Sequence, residues 1–431
     1  MGASGGSRPG RAALAAWCLY DWANSAYPTL VVTFVFATYF TDAVAVDPVT
    51  GTSQWGWMMS ASGIALALLA PVFGAIADYG GPRKPWIAAF TAIAVIAAIA
   101  LWWIEADPRF VLPALLLVAV GNTAFEFGQV FYNAMLPDLV ARDWLGRISG
   151  WAWGLGYAGG LASLGLCLVV FIQPDPALFG LDRARFEQVR ITGPFIALWF
   201  TLFCLPMFLL TPDRPAGGAS LAAAVRGGLT SLRDTLSHVR HYRVIARFLL
   251  ARLFYIDGLN TLFAFGGIYA KEALRMTTAE VLLFAIYLNV AAGIGAALFG
   301  WVDERLGAKR TILISVAALT LFGAAILAVD DKLWFYGLGC AIGVFIGPTQ
   351  SASRSMMARL APPELRTEFF GLFAFSGKAT AFLGPAVVAL VTAWTQSQRL
   401  GMATILVFFV VGLVTLWPLA ETERSVPQQQ E

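Results

Sequence analysis

The sequence predicts an all-α polytopic membrane protein of about twelve transmembrane helices arranged in two six-helix halves. Three observations carry this: apolar runs of spanning length, basic residues gathered in alternate connections, and motifs that recur in order in the second half. Of 431 residues, 58% are hydrophobic and 13% charged, and the mean hydropathy is +0.71. A soluble chain of this length needs far more charge to cover its surface. Backbone in hydrocarbon must satisfy its own hydrogen bonds, so runs such as Trp86–Ile104 and Met402–Leu416 should be helices. The alternating polarity of barrel strands does not appear.

Residues 1–13 form a polar, Gly/Ser-rich stretch, expected as a short cytoplasmic tail. The run from Ala12 has no small-residue cleavage site and exceeds a signal-peptide core, so it is expected as the first span. Spans are expected at 14–40, 55–78, 85–104, 110–136, 147–172 and 192–210, which make up an N-terminal bundle, 14–210. A central connection, 211–243, precedes spans at 244–270, 279–302, 310–329, 333–356, 367–392 and 400–418. These form a C-terminal bundle, 244–418, and 419–431 is a second cytoplasmic tail.

One set of connections carries Arg8, Arg11, Arg83, Lys84, Arg142, Arg147, Arg214, Arg226, Arg233, Arg240, Arg243, Arg247, Arg305, Lys309, Arg310, Arg359, Arg366 and Arg424. The alternate set carries only Arg109, Arg183, Arg185, Arg190, Lys271, Arg275, Lys332 and Arg399. The positive-inside rule then puts both termini and the central connection in the cytoplasm. Within that connection Leu229, Leu232, Leu236 and Val239 form one stripe, while Arg226, Arg233 and Arg240 recur every seventh residue. The pattern predicts a basic amphipathic helix on the inner leaflet, with a solvated linker helix as the alternative.

Cys18, Cys167, Cys204 and Cys340 stand singly in apolar runs, and His238 and His241 are the only histidines. Neither a metal site nor a cofactor is expected. Without a zinc motif, nucleophile elbow or phosphate-binding loop the chain is not expected to be an enzyme, and no motif points to nucleic acid.

The internal repeat has three members. Asp21-Trp22-Ala23-Asn24 matches Asp257-Gly258-Leu259-Asn260, Asp78 to Lys84 matches Asp303 to Arg310, and Leu139 to Gly150 matches Leu360 to Gly371. The stretch from Gly74 through Asp78 and Gly80 to Arg83-Lys84 resembles the signature loop of the major facilitator superfamily, with one extra residue before the basic pair. More narrowly, Tyr20-Asp21-Trp22-Ala23-Asn24-Ser25-Ala26-Tyr27 resembles the opening motif of the autophagy-related vacuole effluxer family. Phe254 to Gly258 and Glu368 to Leu372 are similar to its later motifs. The resemblance implies a major facilitator fold with alternating access and a relation to fungal vacuolar amino-acid exporters.

Polar residues within spans are costly and usually functional. They concentrate in spans one, four, seven and ten, as expected where the first helix of each triplet lines a central path. Asn122, Glu126, Gln129 and Asn133 share one face of span four, a candidate cavity lining or a helix-packing network. Asp21 and Asn24 in span one, and Asp257 and Asn260 in span seven, are candidates to bind substrate or a proton, or to pin neighbouring helices. Lys378 sits mid-span with no acid within a helical turn and needs a partner across the cavity or on the substrate. Arg354 is expected to bind a carboxylate or lock a gate, and Arg252 to form an interhelical ion pair. Asp78, Arg83 and Lys84, with Asp303, Lys309 and Arg310, are candidate latches between helix ends. Gly150, Gly154, Gly156, Gly159 and Gly160 predict close helix packing. Tyr20, Trp22, Trp151, Trp153 and Tyr157 are candidate substrate contacts or interface anchors.

Taken together, the sequence predicts a secondary transporter of a small polar solute, plausibly an amino acid, working as a monomer and coupled to protons. Its expected place is the bacterial inner membrane, with the lipid bilayer as its surroundings. The alternatives are a flippase of an amphipathic lipid or peptide, and a membrane receptor without transport.

Overall fold

The computed structural model describes residues 10–215, 218, 220–238 and 240–419. Arg8, Val239, Arg424 and most of the two expected tails lie outside the described residues. Among the described residues there is no β-strand.

Six helices form the first half: α1 (Arg11–Val44), α2 (Pro48–Gly80), α3 (Lys84–Trp103), α4 (Pro108–Leu139), α5 (Arg142–Ile172) and α6 (Glu187–Leu210). A connecting helix, α7 (Leu221–Ser237), follows. The second half comprises α8 (Arg243–Ala273), α9 (Thr278–Leu306), α10 (Ala308–Leu327), α11 (Lys332–Leu360), the pair α12 (Arg366–Lys378) and α13 (Leu383–Thr395), and α14 (Gln398–Leu416). The span expected at 367–392 is thus two helices joined by the turn 379–382. The chain is an integral membrane protein whose spans fall into two sets on either side of α7.

Among the described residues, eleven spans are both long and apolar enough to cross a bilayer. The twelfth, α11, has 29 residues, about 44 Å of helix against roughly 30 Å of hydrocarbon, so length is not what sets it apart. Its lower half carries Thr349, Ser351, Ser353, Arg354 and Ser355, all buried in protein. Lipid-facing helices show the opposite, with Leu198, Leu202 and Leu209 exposed on α6 and Ile64 and Leu68 on α2.

Helix starts are satisfied in more than one way, and at the basic end Ser220 caps α7 with its own side chain. Away from the basic connections, side chains cap their own helices: Asp47 accepts from the Val49 and Thr50 amides, Asp331 from Trp334, and Ser397 from Leu400. Thr277 and Glu280 complete a capping box on α9. At the basic end, the α-helical part of α5 and the start of α12 have no such side-chain cap.

The halves meet along two seams, α2 against α12 and α5 against α9. Both are close because glycines remove the side chain. A Cβ on Gly371 would meet the Ala70 carbonyl and Pro71, and one on Gly150 would meet the Ala296 carbonyl. Gly156 and Gly159 instead seat α5 against Asp21 and Trp22 of α1, so α5 has two small-residue faces.

Helix α7 packs on α2 at the basic end, with Gly228 against Ile76 and Ala224 against Gly80. Its buried face runs through Ala224, Gly228, Leu232 and Thr235. Of the expected leucine stripe, Leu232 is buried against protein, while Leu229 and Leu236 are exposed beside Arg226 and Arg233.

Candidate functional site

A central cavity of about 400 Å³ lies between the halves, with walls from α1, α4, α5, α8, α9, α11 and α12. Its charged side chains are Asp21, Glu126, Arg252, Arg354 and Lys378.

The floor, toward the basic end, is built around Arg354. It reaches from α11 into the first half, where Nη1 donates to Asp21 Oδ2 at 2.9 Å and to Asn133 Oδ1 at 3.0 Å. Nε and Nη2 donate to the Ser149 hydroxyl and carbonyl oxygens at 2.9 and 2.7 Å. The guanidinium also lies over the rings of Trp17, Tyr132 and Trp153. Asp21 and Arg354 are both almost wholly buried, where removing one partner strands the other charge.

Higher in the cavity Lys378 Nζ lies 2.8 Å from Glu126 Oε1, a second ion pair that joins the halves. The Tyr157 hydroxyl also donates across the halves, to Gln350 Oε1 at 2.8 Å. Gln129, Asn133 and Asn260 line the same space. Asn24 lines it too, and its Nδ2 has no acceptor.

Three expectations are revised. Asn122 is buried off the cavity wall, so three of the four stripe residues line the space rather than four. Asp257 lies off that wall as well; its Oδ2 accepts from the Gly384 amide at 3.3 Å. The break in span eleven brings the first turn of α13 over Asp257, and the carboxylate occupies an orphan amide there. Arg252 forms no ion pair among the described residues: it donates to the Phe373 carbonyl at 2.6 Å and to Ser376 Oγ at 2.8 Å.

At the basic end the starts of α12 and α5 find acceptors in the opposite half, while the Arg83 and Lys84 amides at the start of α3 donate to Asp213. Asp78, on α2, accepts from Thr367 Oγ1 at 2.6 Å and from the Glu368 amide at 2.8 Å, in the first turn of α12. Glu304, on α9, accepts from the Arg147 amide at 3.3 Å and its Nη2 at 2.5 Å, in the first helical turn of α5. Each carboxylate caps a helix it does not belong to.

Around the first seam, Arg83 donates to Thr367 Oγ1 at 2.8 Å and to Asp138 Oδ2 at 2.5 Å. Arg214 and Arg366 also bind Asp138. Burial lowers the Arg83 guanidinium to about 10, which leaves it charged at neutral pH. Lys84 stays within its own half, donating to the Phe208 carbonyl. On the other seam Asp303 binds Ser355 and Arg359. Lys309 makes no hydrogen bond or ion pair among the described residues, and Arg310 is exposed at the start of α10.

Sequence reasoning missed Glu304, Asp138, Thr367 and Arg359. Their partners are distant in the chain, and acids or hydroxyls at helix ends look like ordinary surface residues. The pairing of Asp303 with Glu304 within the repeated loop was the available signal.

A family model described as "Vacuole effluxer Atg22 like" matches residues 43–430. The uncharacterized MFS-type transporter YxiO of Bacillus subtilis (strain 168) is 28% identical over 420 residues, covering 96% of each chain. Autophagy-related protein 22 of Kluyveromyces lactis is 26% identical, covering 74% of this chain and 69% of its own. The proton:xylose symporter XylE, solved with 6-bromo-6-deoxy-D-glucose, superposes with a TM-score of 0.72 at 11% identity, covering 95% of both chains. A bacterial homologue of the iron transporter ferroportin, in an outward-facing state, gives 0.69 at 14% identity, covering 94% and 98%.

Proposed function

Because the chain belongs to the vacuole effluxer Atg22-like family and is a transporter of the major facilitator fold, we propose that it moves a small polar solute, an amino acid or a close analogue, by proton-coupled alternating access. The observation that carries this reading is the Glu126–Lys378 pair, which bridges the halves inside the cavity at 2.8 Å. A proton on Glu126 removes the charge that holds Lys378, so proton binding and rearrangement of the cavity are one event. The Asp21–Arg354 floor and the two capped seams close the basic end. In the bacterial inner membrane, with the basic end in the cytoplasm, this is an outward-facing arrangement. Asp21, Asn24, Glu126, Gln129, Asn133, Asn260 and Lys378 are the proposed contacts for solute or proton. Arg354 and the Asp78/Arg83 and Asp303 groups are the proposed gate. The transporter acts as a monomer.

A second reading, transport of an amphipathic lipid or peptide, draws on one feature. A lateral groove between α5 and α9, about 520 Å³, shares Tyr157, Leu161 and Asn289 with the central cavity. Its remaining wall, including Trp151, Leu155 and Ile294, suits an acyl chain.

The test is uptake into proteoliposomes of a radiolabelled amino-acid panel and a fluorescent phospholipid, with and without an imposed pH gradient. Gradient-driven uptake of one or a few amino acids, lost in Lys378→Ala and made insensitive to the gradient in Glu126→Gln, is expected. Movement of the phospholipid alone would replace this reading with the second.

A further inference from the structure

Of the five charged side chains lining the cavity, four are paired: Asp21 with Arg354 and Glu126 with Lys378. Three cations against two anions leave one positive charge, and Arg252 is its bearer. Its direct contacts are neutral: the Phe373 carbonyl, the Ser376 hydroxyl and the Phe373 ring, whose centroid is 3.5 Å from the guanidinium carbon; Glu126, the acid that also acts on it, is already paired with Lys378. Its Nε has no acceptor. On the other half's side of the cavity, Asn24 Nδ2 and Trp153 Nε1 are likewise buried donors without acceptors.

A buried donor left unsatisfied costs about 1–3 kcal/mol, more for a charged one. With an unbalanced cation among the residues lining one cavity, the site lacks an anion rich in acceptors. A carboxylate suits a guanidinium geometrically, since its two oxygens match the planar fork of donors. A single negative charge also balances the cavity, whereas a doubly charged phosphate would replace one buried excess charge with another.

Building on the transporter reading above, we propose that the solute carries a carboxylate and a net charge of −1, and that Arg252 is the residue that binds this group. Acidic amino acids and simple organic monocarboxylates share that chemistry. Asn24 and Trp153 donate from the opposite wall, so a bound carboxylate touches both halves.

The experiment is scintillation-proximity binding of radiolabelled glutamate, lactate and leucine to purified, monodisperse protein, followed by counterflow of the same solutes in proteoliposomes. Glutamate or lactate is expected to bind at least tenfold tighter than leucine, which has no net charge. Arg252→Gln should weaken that binding at least tenfold, Arg252→Lys less so, and Asn24→Ala several-fold. Asn24→Ala changes no charge and keeps the test open if the arginine variants do not fold. Equal binding of leucine, affinity unaffected by Arg252→Gln, or no binding of either anion overturns the proposal. Counterflow of leucine that ignores Arg252→Gln refutes this assignment while leaving the transporter reading intact; counterflow of no solute in either panel refutes the reading beneath it.

Discussion

Arg354 has four hydrogen bonds into the first half and one carboxylate partner, Asp21. Losing one member of a buried pair costs about 3–5 kcal/mol, and here the loss falls on the state whose basic end is closed. Asp21→Asn is therefore expected to shift the conformational equilibrium by more than 100-fold toward opening at that end, read from distances between spin labels on the two halves. A double-mutant cycle with Arg354→Gln should show strong coupling; simple additivity would mean the two residues act separately. Asp21 and Arg354 were legible in the sequence because a charge in an apolar run announces itself. The setting of Arg252 and Asp257 was not, because it depends on where span eleven breaks. Gly384-Pro385 was the local signal, since proline lacks the amide a continuous helix needs and restricts the residue before it.

At the scale of elements, the seams close only because glycine lets backbones touch. Gly150→Leu would place a branched side chain against the Ala296 carbonyl and Gly300, and only separation of α5 from α9 accommodates it. The variant is expected to be held with its basic end open. A cysteine at the buried Ser351 should then be alkylated at least tenfold faster than in the parent; an unchanged rate would show that the seam yields elsewhere. The spans themselves were readable from apolar run length, and the glycine-rich stretch of α5 from its spacing. That α7 turns Ala224, Gly228 and Leu232, but not Leu229 or Leu236, toward protein was not, because the surface of α2 that receives Gly228 exists only in the folded chain.

Over the whole molecule, the two seams repeat one device: a carboxylate from one half caps a helix start in the other, Asp78 on α12 and Glu304 on α5. If the halves rock as rigid bodies, both caps break in one movement. Hydrogen-exchange mass spectrometry should therefore find that peptides holding the Glu368 and Arg147 amides gain deuterium at matching rates, and that both slow when the basic end is held shut. Rates differing by an order of magnitude would mean that the seams open one at a time. The repeated motifs foretold the duplication, yet the sequence could not show that Asp78 and Glu304, rather than Asp78 and Asp303, play matching parts.

The polarity of α11 also bears on how the protein is made. A translocon sorts each emerging segment by its partition into lipid, and Gln350, Arg354 and the hydroxyls around them weigh against release into the bilayer. The helix that carries Arg354 is thus the one least able to enter the membrane alone. Its insertion is expected to wait on company from α9 and α10, so that biogenesis of the second half becomes cooperative at its fourth helix.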